Sequence, residues 1–238
     1  MKLDILAFAA HPDDIELAAS GTLMAHIAMG KKAGIVDLTR GELGTRGSAE
    51  IRDKEAAESS KILGISAREN LRFRDGFFIN DEQHKLKIVE MIRKYQPEIV
   101  LGNAEFDRHI DHGRGGALVH DACFLSGLRK IETMHNGVVQ EAWRPKAVYH
   151  YVQDYHISPD VLVDITPFFE RKLASIKAFS SQFYDPQSTE PASPISSEDF
   201  MYFIDARARE FGRAIGVTYA EAFTVKRPIG VRDLTTLL

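Results

Sequence analysis

Along the first hundred residues, apolar runs of strand length alternate with segments whose apolar positions recur at helical spacing. LDILAFAA (3–10) is unbroken apart from Asp4 and reads as a buried strand. Residues 14–29 then place Ile15, Leu17, Ala18, Leu23 and Ile27 at broadly helical intervals, with Gly30 as the expected stop. AGIVDLT (33–39) predicts a second strand, and residues 49–63 predict a second helix ending at Gly64. ENLRF (69–73) predicts a short third strand. Residues 83–95 carry Ile88, Ile92 and Tyr95 on one helical face, and EIVLGNA (98–104) predicts a fourth strand. Strand and helix in regular alternation imply βαβ units. With right-handed crossovers, the expected fold is α/β and Rossmann-like: a doubly wound, mostly parallel sheet with helices on both faces.

The pattern loosens in the second half. KAVYHYV (146–152) and VLVDI (161–165) read as strands, while residues 167–180 and 197–215 read as helices, the latter closing near Gly216. Between these helices lies YDPQSTEPASPISSED (184–199), rich in proline, serine and threonine. It is long for a connection within a compact domain. A binding loop or lid and a solvated insertion both remain open readings. Neither an internal repeat nor linker composition divides the chain. One domain over 1–238, elaborated from about 145–238, is the expectation.

Composition adds mainly exclusions. With 238 residues, 44% hydrophobic and 27% charged, the chain can bury a sizeable core. A formal net charge of −4 gives no reason to expect nucleic acid or a membrane surface as partner. No apolar run approaches the ~20 residues that span a bilayer. The opening MKLDILAFAAHPDD echoes a signal peptide, but it carries Asp4 and ends in charged residues rather than a small-residue cleavage site. The single cysteine, Cys123, excludes an internal disulfide and reads as a small buried packing residue. It fits a reducing compartment, so a cytoplasmic location is expected.

The chemistry concentrates at two strand ends. AHPDD (10–14) stands where the first strand hands over to the first helix, and DRHIDH (107–112) follows the fourth strand. Ligands of open parallel sheets bind beyond the carboxyl ends of the strands, so both clusters should share one rim. A dinucleotide fold would place G-x-G-x-x-G at the first turn. Carboxylates there repel phosphate and attract a cation. Together the clusters offer His11, Asp13, Asp14, His109, Asp111 and His112. Two histidines and a carboxylate suffice for a catalytic zinc ion with an open position, and the same donors suit ferrous iron. Either aspartate could instead cap the helix from Ile15, which leaves the other aspartate and His11 unexplained.

AHPDD followed by HxDH after a later strand resembles the LmbE-like (PIG-L) family of zinc-dependent N-deacetylases. The resemblance extends through DLTRGELGTRGS…EIRDKEA (37–56), SQF (181–183) and GVTYAEAF (216–223). It implies deacetylation of N-acetylglucosaminyl conjugates and is nearest to the bacillithiol-pathway members, whose substrate is N-acetylglucosaminyl-malate. It further implies one Zn2+ per chain held by His11, Asp14 and His112, with Asp13 as general base. His109 becomes the oxyanion stabiliser, a cation oriented by Asp111, and Arg52 a substrate contact that grips a malate carboxylate. Homo-oligomers, hexamers among them, are implied as well.

Other readings stay beside these. Arg52 could be a solvated helix arginine paired with Glu55 or Glu58. Which of Arg40, Glu42 and Arg46 reach inward is not readable from the sequence. His156, Tyr184 and Tyr202 are further pocket candidates, while Phe200 occupies a position where relatives can carry a tyrosine. Rival functions are a deacetylase of another glycoconjugate or small N-acyl amine, a two-metal phosphoesterase, and a non-catalytic metal- or carbohydrate-binding module. The phosphoesterase would need more ligands than the two clusters supply. The module would have no use for Asp13.

Overall fold

The first strand owes its unbroken apolar run to burial on both faces. The computed structural model describes residues 1–237. Its elements are β1 (Ile5–Ala9), α1 (Asp14–Ala18), α2 (Ser20–Ala28), β2 (Ala33–Thr39), α3 (Ala49–Leu63), β3 (Ala67–Phe73), α4 (Glu82–Tyr95) and β4 (Ile99–Gly102). There follow α5 (Ile110–Ser126), a small ribbon of β5 (Met134–His135) and β6 (Val138–Val139), β7 (Ala147–Tyr151), β8 (Val161–Asp164), α6 (Phe169–Lys177), α7 (Glu198–Ala214) and β9 (Ala220–Thr224). Leu6 and Phe8 of β1 join Ile88 and Ile92 of α4 and Leu118 and Val119 of α5 in one core. Ile5, Ala7 and Ala9 point to the opposite face and join Ile15, Leu23 and Met24. That alternation is the two-residue period of a strand covered by helices on both sides.

The seven-stranded sheet runs β3-β2-β1-β4-β7-β9-β8. The first five strands in that order are mutually parallel, and β9 lies antiparallel to both β7 and β8. The mostly parallel α/β expectation therefore holds, and the C-terminal strands extend the same sheet. Chain order reverses across β1, with β2 on one side and β4 on the other, so a crevice opens beyond their carboxyl ends. No helix among the described residues is long and apolar enough to cross a membrane.

Several elements differ from the sequence reading. The helix expected over 14–29 breaks at Ala19, whose backbone leaves the helical region. The cause is Glu221, whose carboxylate accepts the N–H groups of Gly21 (3.0 Å) and Thr22 (2.7 Å) and so caps a fresh helix start. The helix expected over 167–180 begins with a 3-10 turn, Thr166–Phe168, before α6. The sequence pattern predicts neither the long helix α5 nor the strand β9. The segment 184–197 contains no helix or strand.

Candidate active site

At the end of β1 the chain turns through HPDD, and the end of β4 holds that turn in place. Asn103, fully buried, accepts the Ala10 N–H at 2.9 Å and donates to Asp14 Oδ2 at 2.8 Å and to Gln153 Oε1 at 2.9 Å. Asp14 Oδ2 also accepts the N–H of His11 at 3.0 Å. One amide thus ties together the ends of β1 and β4 and the segment after β7.

Asp14 lies between two imidazoles. His112 Nε2 is 3.2 Å from Asp14 Oδ1, and His11 Nδ1 is 3.8 Å from Asp14 Oδ2. The other nitrogen of each ring rests on carboxylates. His11 Nε2 is 3.2 Å from Asp75 Oδ1 and 3.4 Å from Asp111 Oδ2, while His112 Nδ1 is 2.5 Å from Asp107 Oδ2. Metal-binding histidines are oriented in this way, one nitrogen on a carboxylate and the other free for the ion. Burial alone would lower both imidazoles, yet Asp111, Asp75 and Asp14 raise His11 to about 10. Against the same burial, Asp14 and Asp107 raise His112 to about 9. Burial would raise Asp14, but the His112 and His11 cations hold its carboxyl far below the usual range. Surroundings that favour a bound proton this strongly also favour a divalent ion. Two imidazoles and a carboxylate form a donor set that fits one.

Two other groupings are close enough to be weighed. Ligand atoms of His11, His109 and His112 lie within 4.8 Å of one another, as do those of His11, Asp75 and Asp111. His109 caps α5, and its Nδ1 accepts the N–H of Asp111 at 3.2 Å. A neutral ring accepting at Nδ1 carries its proton on Nε2, which makes His109 a donor rather than a ligand. In the second grouping, Asp111 is already held by the Gly76 N–H (2.8 Å) and Arg114 (2.9 Å), and Asp75 by the Leu43 N–H (2.9 Å).

This geometry corrects two expectations. The Asp111 carboxylate faces His11, Gly76 and Arg114, and only its backbone N–H meets His109, so it does not orient the His109 ring. Burial, with the charges on His11 and His112, also pushes the His109 imidazole down to about 4, where a raised, cationic ring was expected.

Asp13 occupies the N-cap position of α1 with φ 129°, a left-handed backbone that costs a non-glycine residue roughly 1–3 kcal/mol. Its Oδ2 accepts from Arg52 Nη2 at 2.8 Å, leaving Oδ1 without a hydrogen-bond partner among the described residues. Burial pushes this carboxyl up to about 7, with Asp14 and Glu16 adding to the rise and Arg52 and His11 opposing it. Arg52 is buried, not solvated, and pairs with neither Glu55 nor Glu58. It donates to Pro12 O (2.6 Å), Asp13 and Gly41 O (3.3 Å).

A cavity of about 380 Å³ opens over this cluster, with Asp13, Asp14, His109 and His112 in its lining. Arg46 and Gln182 line it too, as does the stretch Ser193–Ile195, so the long proline-rich segment forms part of the wall. Arg40 turns away to Asp53 (2.6 Å) and Glu50 (3.1 Å). Glu42 accepts the N–H of Asp75 at 2.8 Å. His156 stacks on Phe211, Phe200 packs against Phe183, and Tyr202 bonds Glu198; none of them, nor Tyr184, lines the cavity. Sequence reading missed Asn103, Asp107, Gln153 and Asp75. Asp75 could have been found, because it follows β3 as His11 follows β1.

Known proteins similar to this chain include N-deacetylases. The sequence model of the family described as GlcNAc-PI de-N-acetylase (PIG-L) matches residues 6–123. The crystal structure of the conserved protein TT1542 from Thermus thermophilus superposes with a TM-score of 0.86 at 36% identity, covering 98% of each chain. A diacetylchitobiose deacetylase from Thermococcus kodakarensis is 29% identical over 189 residues, 75% of this chain and 70% of that protein. At 25% identity stand a 4-oxalmesaconate hydratase from Pseudomonas putida (74% of this chain, 73% of that protein) and a probable N-acetyl-alpha-D-glucosaminyl L-malate deacetylase from Bacillus anthracis (73% and 78%).

Proposed function

The chain belongs to the PIG-L family, and on that premise we propose that it is a metal-dependent N-deacetylase releasing acetate from N-acetylglucosamine conjugates, with N-acetylglucosaminyl-malate as leading substrate. The observation that carries this reading is Asp13, a buried carboxylate left free on one oxygen beside the imidazoles of His11 and His112 and the carboxylate of Asp14. A non-catalytic binding module has no need of it.

His11, Asp14 and His112 would hold the ion, zinc or ferrous iron. Bound there, a divalent ion supplies Lewis acidity and a nucleophile available at neutral pH. Asp13, through its free oxygen, takes the proton from the attacking water and passes it to the amide nitrogen. That second transfer is required, because an unprotonated amide nitrogen is too basic to leave. The proton on His109 Nε2 meets the oxyanion that forms as the carbonyl carbon becomes tetrahedral. Such a donor is typically worth ~2.7–4 kcal/mol. The products are acetate and the amine, which leaves carrying the remaining proton as its ammonium form, and Asp13 ends the cycle deprotonated.

The Pseudomonas relative gives a second reading, hydration of an unsaturated acid at the same centre. Acetate release separates the two. Metal-loaded protein should release acetate from N-acetylglucosaminyl-malate faster than from free N-acetylglucosamine, and chelated protein from neither. No acetate from either compound with a full complement of metal would remove the deacetylase reading.

A further inference from the structure

The cavity wall holds a guanidinium that the chemistry above does not use. Arg46 stands on the loop between β2 and α3 and is 4% exposed. It donates to two neutral acceptors, Phe183 O at 3.4 Å and Ser188 Oγ, and its Nε has no partner. No carboxylate among the described residues comes within 4.0 Å of it. The other arginines near the site are matched: Arg52 by Asp13, Arg108 by Asp154, Arg114 by Asp111.

An unpaired buried charge is costly unless oxygens surround it. Arg93 shows the alternative, since it too lacks a carboxylate but donates to Ser126 O, Leu128 O, Ile131 O and Thr133 Oγ1. Arg46 has half as many acceptors. Arg207 is also without a carboxylate within 4.0 Å among the described residues, but the cleft it lines measures about 30 Å³, room for a water or two. Arg46 instead borders the cavity of about 380 Å³ that holds Asp13 and His112.

We propose that Arg46, rather than Arg52, reads the anionic group of the substrate. The inference rests on the deacetylase reading and adds a specificity-determining residue to it. Gln182 Nε2 donates to Arg46 O at 2.8 Å and fixes the backbone from which the side chain extends. A substrate carboxylate then supplies the countercharge that the chain omits, and a charge-assisted pair of this kind discriminates acid from ester by about 10- to 100-fold.

The test compares N-acetylglucosaminyl-malate with its dimethyl ester in metal-loaded wild type, Arg46→Met, Arg46→Lys and Ser188→Ala. Expected is a preference for the diacid in wild type. In Arg46→Met the ratio of kcat/KM for diacid over ester should fall about 10- to 100-fold, through KM. Arg46→Lys should restore part of the ratio, and Ser188→Ala, which loses the clamp to the loop but keeps the charge, should hold it. Equal losses on diacid and ester in Arg46→Met, or the same fall in the ratio in Ser188→Ala, would make Arg46 a structural clamp and overturn the proposal. Calorimetric titration with succinate gives a readout independent of turnover, with binding at least about tenfold weaker in Arg46→Met. If no conjugate releases acetate but succinate binding weakens, the anion site stands and the deacetylase reading falls. If acetate is released while neither ratio nor binding changes, the anion site alone falls.

Discussion

Asp13 and Arg52 form a buried ion pair at 2.8 Å, so the guanidinium sets the direction of the carboxylate proposed as the base. Asp13 keeps a left-handed backbone, and its side chain depends on Arg52 for its direction. In Arg52→Met the base should be misplaced while the cavity stays open to substrate. Steady-state kinetics should show kcat reduced about 10- to 100-fold with KM changed less than about threefold. A raised KM at unchanged kcat would return Arg52 to the role of substrate contact.

Gly41 is the second support of that pair. With φ 65° it occupies a backbone region open to glycine, and a Cβ there would lie 2.0 Å from Arg52 Nη1. Gly41→Ala must therefore displace the guanidinium from Asp13. Turnover should fall at least about tenfold, with metal content by elemental analysis unchanged. Full activity in this variant would show that Arg52 need not stand where it does.

The ends of β1 and β4 were legible because the chemistry there is local: HPDD and DRHIDH each fall directly after an apolar run. Helix α5 was not, because Gly113, Gly115 and Gly116 depress helix propensity across its first turns. Gly116 is needed for packing, since a Cβ there would come 2.6 Å from Asn103 O. The break at Ala19 was unreadable for a different reason. It depends on Glu221, 200 positions away from Gly21, and no local pattern announces so distant a cap. The ring orientations were hidden too, as Asp111 sits beside His109 in the sequence yet turns its carboxylate to His11.

That distant cap has a measurable cost. Lys172, 2% exposed, donates to Glu221 Oε1 at 2.6 Å and to the carbonyls of Glu16 and Leu17, where α1 ends. Lys172→Met would leave the Glu221 carboxylate buried with two backbone N–H groups and no cation. Breaking a buried pair from one side costs about 3 kcal/mol or more, which for a chain of this size lowers Tm by roughly 6–12 °C. The double variant Lys172→Met with Glu221→Gln should recover part of the loss in thermal unfolding. A Tm unchanged in the single variant would mean that the N–H groups alone satisfy Glu221.

Metal content and turnover should separate along the division between Asp14 and Asp13. On the proposed reading His11, Asp14 and His112 hold one ion, while the neighbouring carboxylates Asp75 and Asp111 are held by backbone N–H groups and Arg114. Elemental analysis should give one equivalent per chain; two would favour a two-metal phosphoesterase. Asp13→Asn keeps the donor set and should keep that equivalent while turnover drops about 10²–10⁴-fold. His112→Ala should lose the ion itself. Asp107→Asn, which removes the charge on His112 Nδ1, should weaken metal affinity about 10- to 100-fold in a chelator competition. If Asp13→Asn turned over normally, the proton would have to travel through another group, and the free oxygen beside the metal donors would lose its purpose.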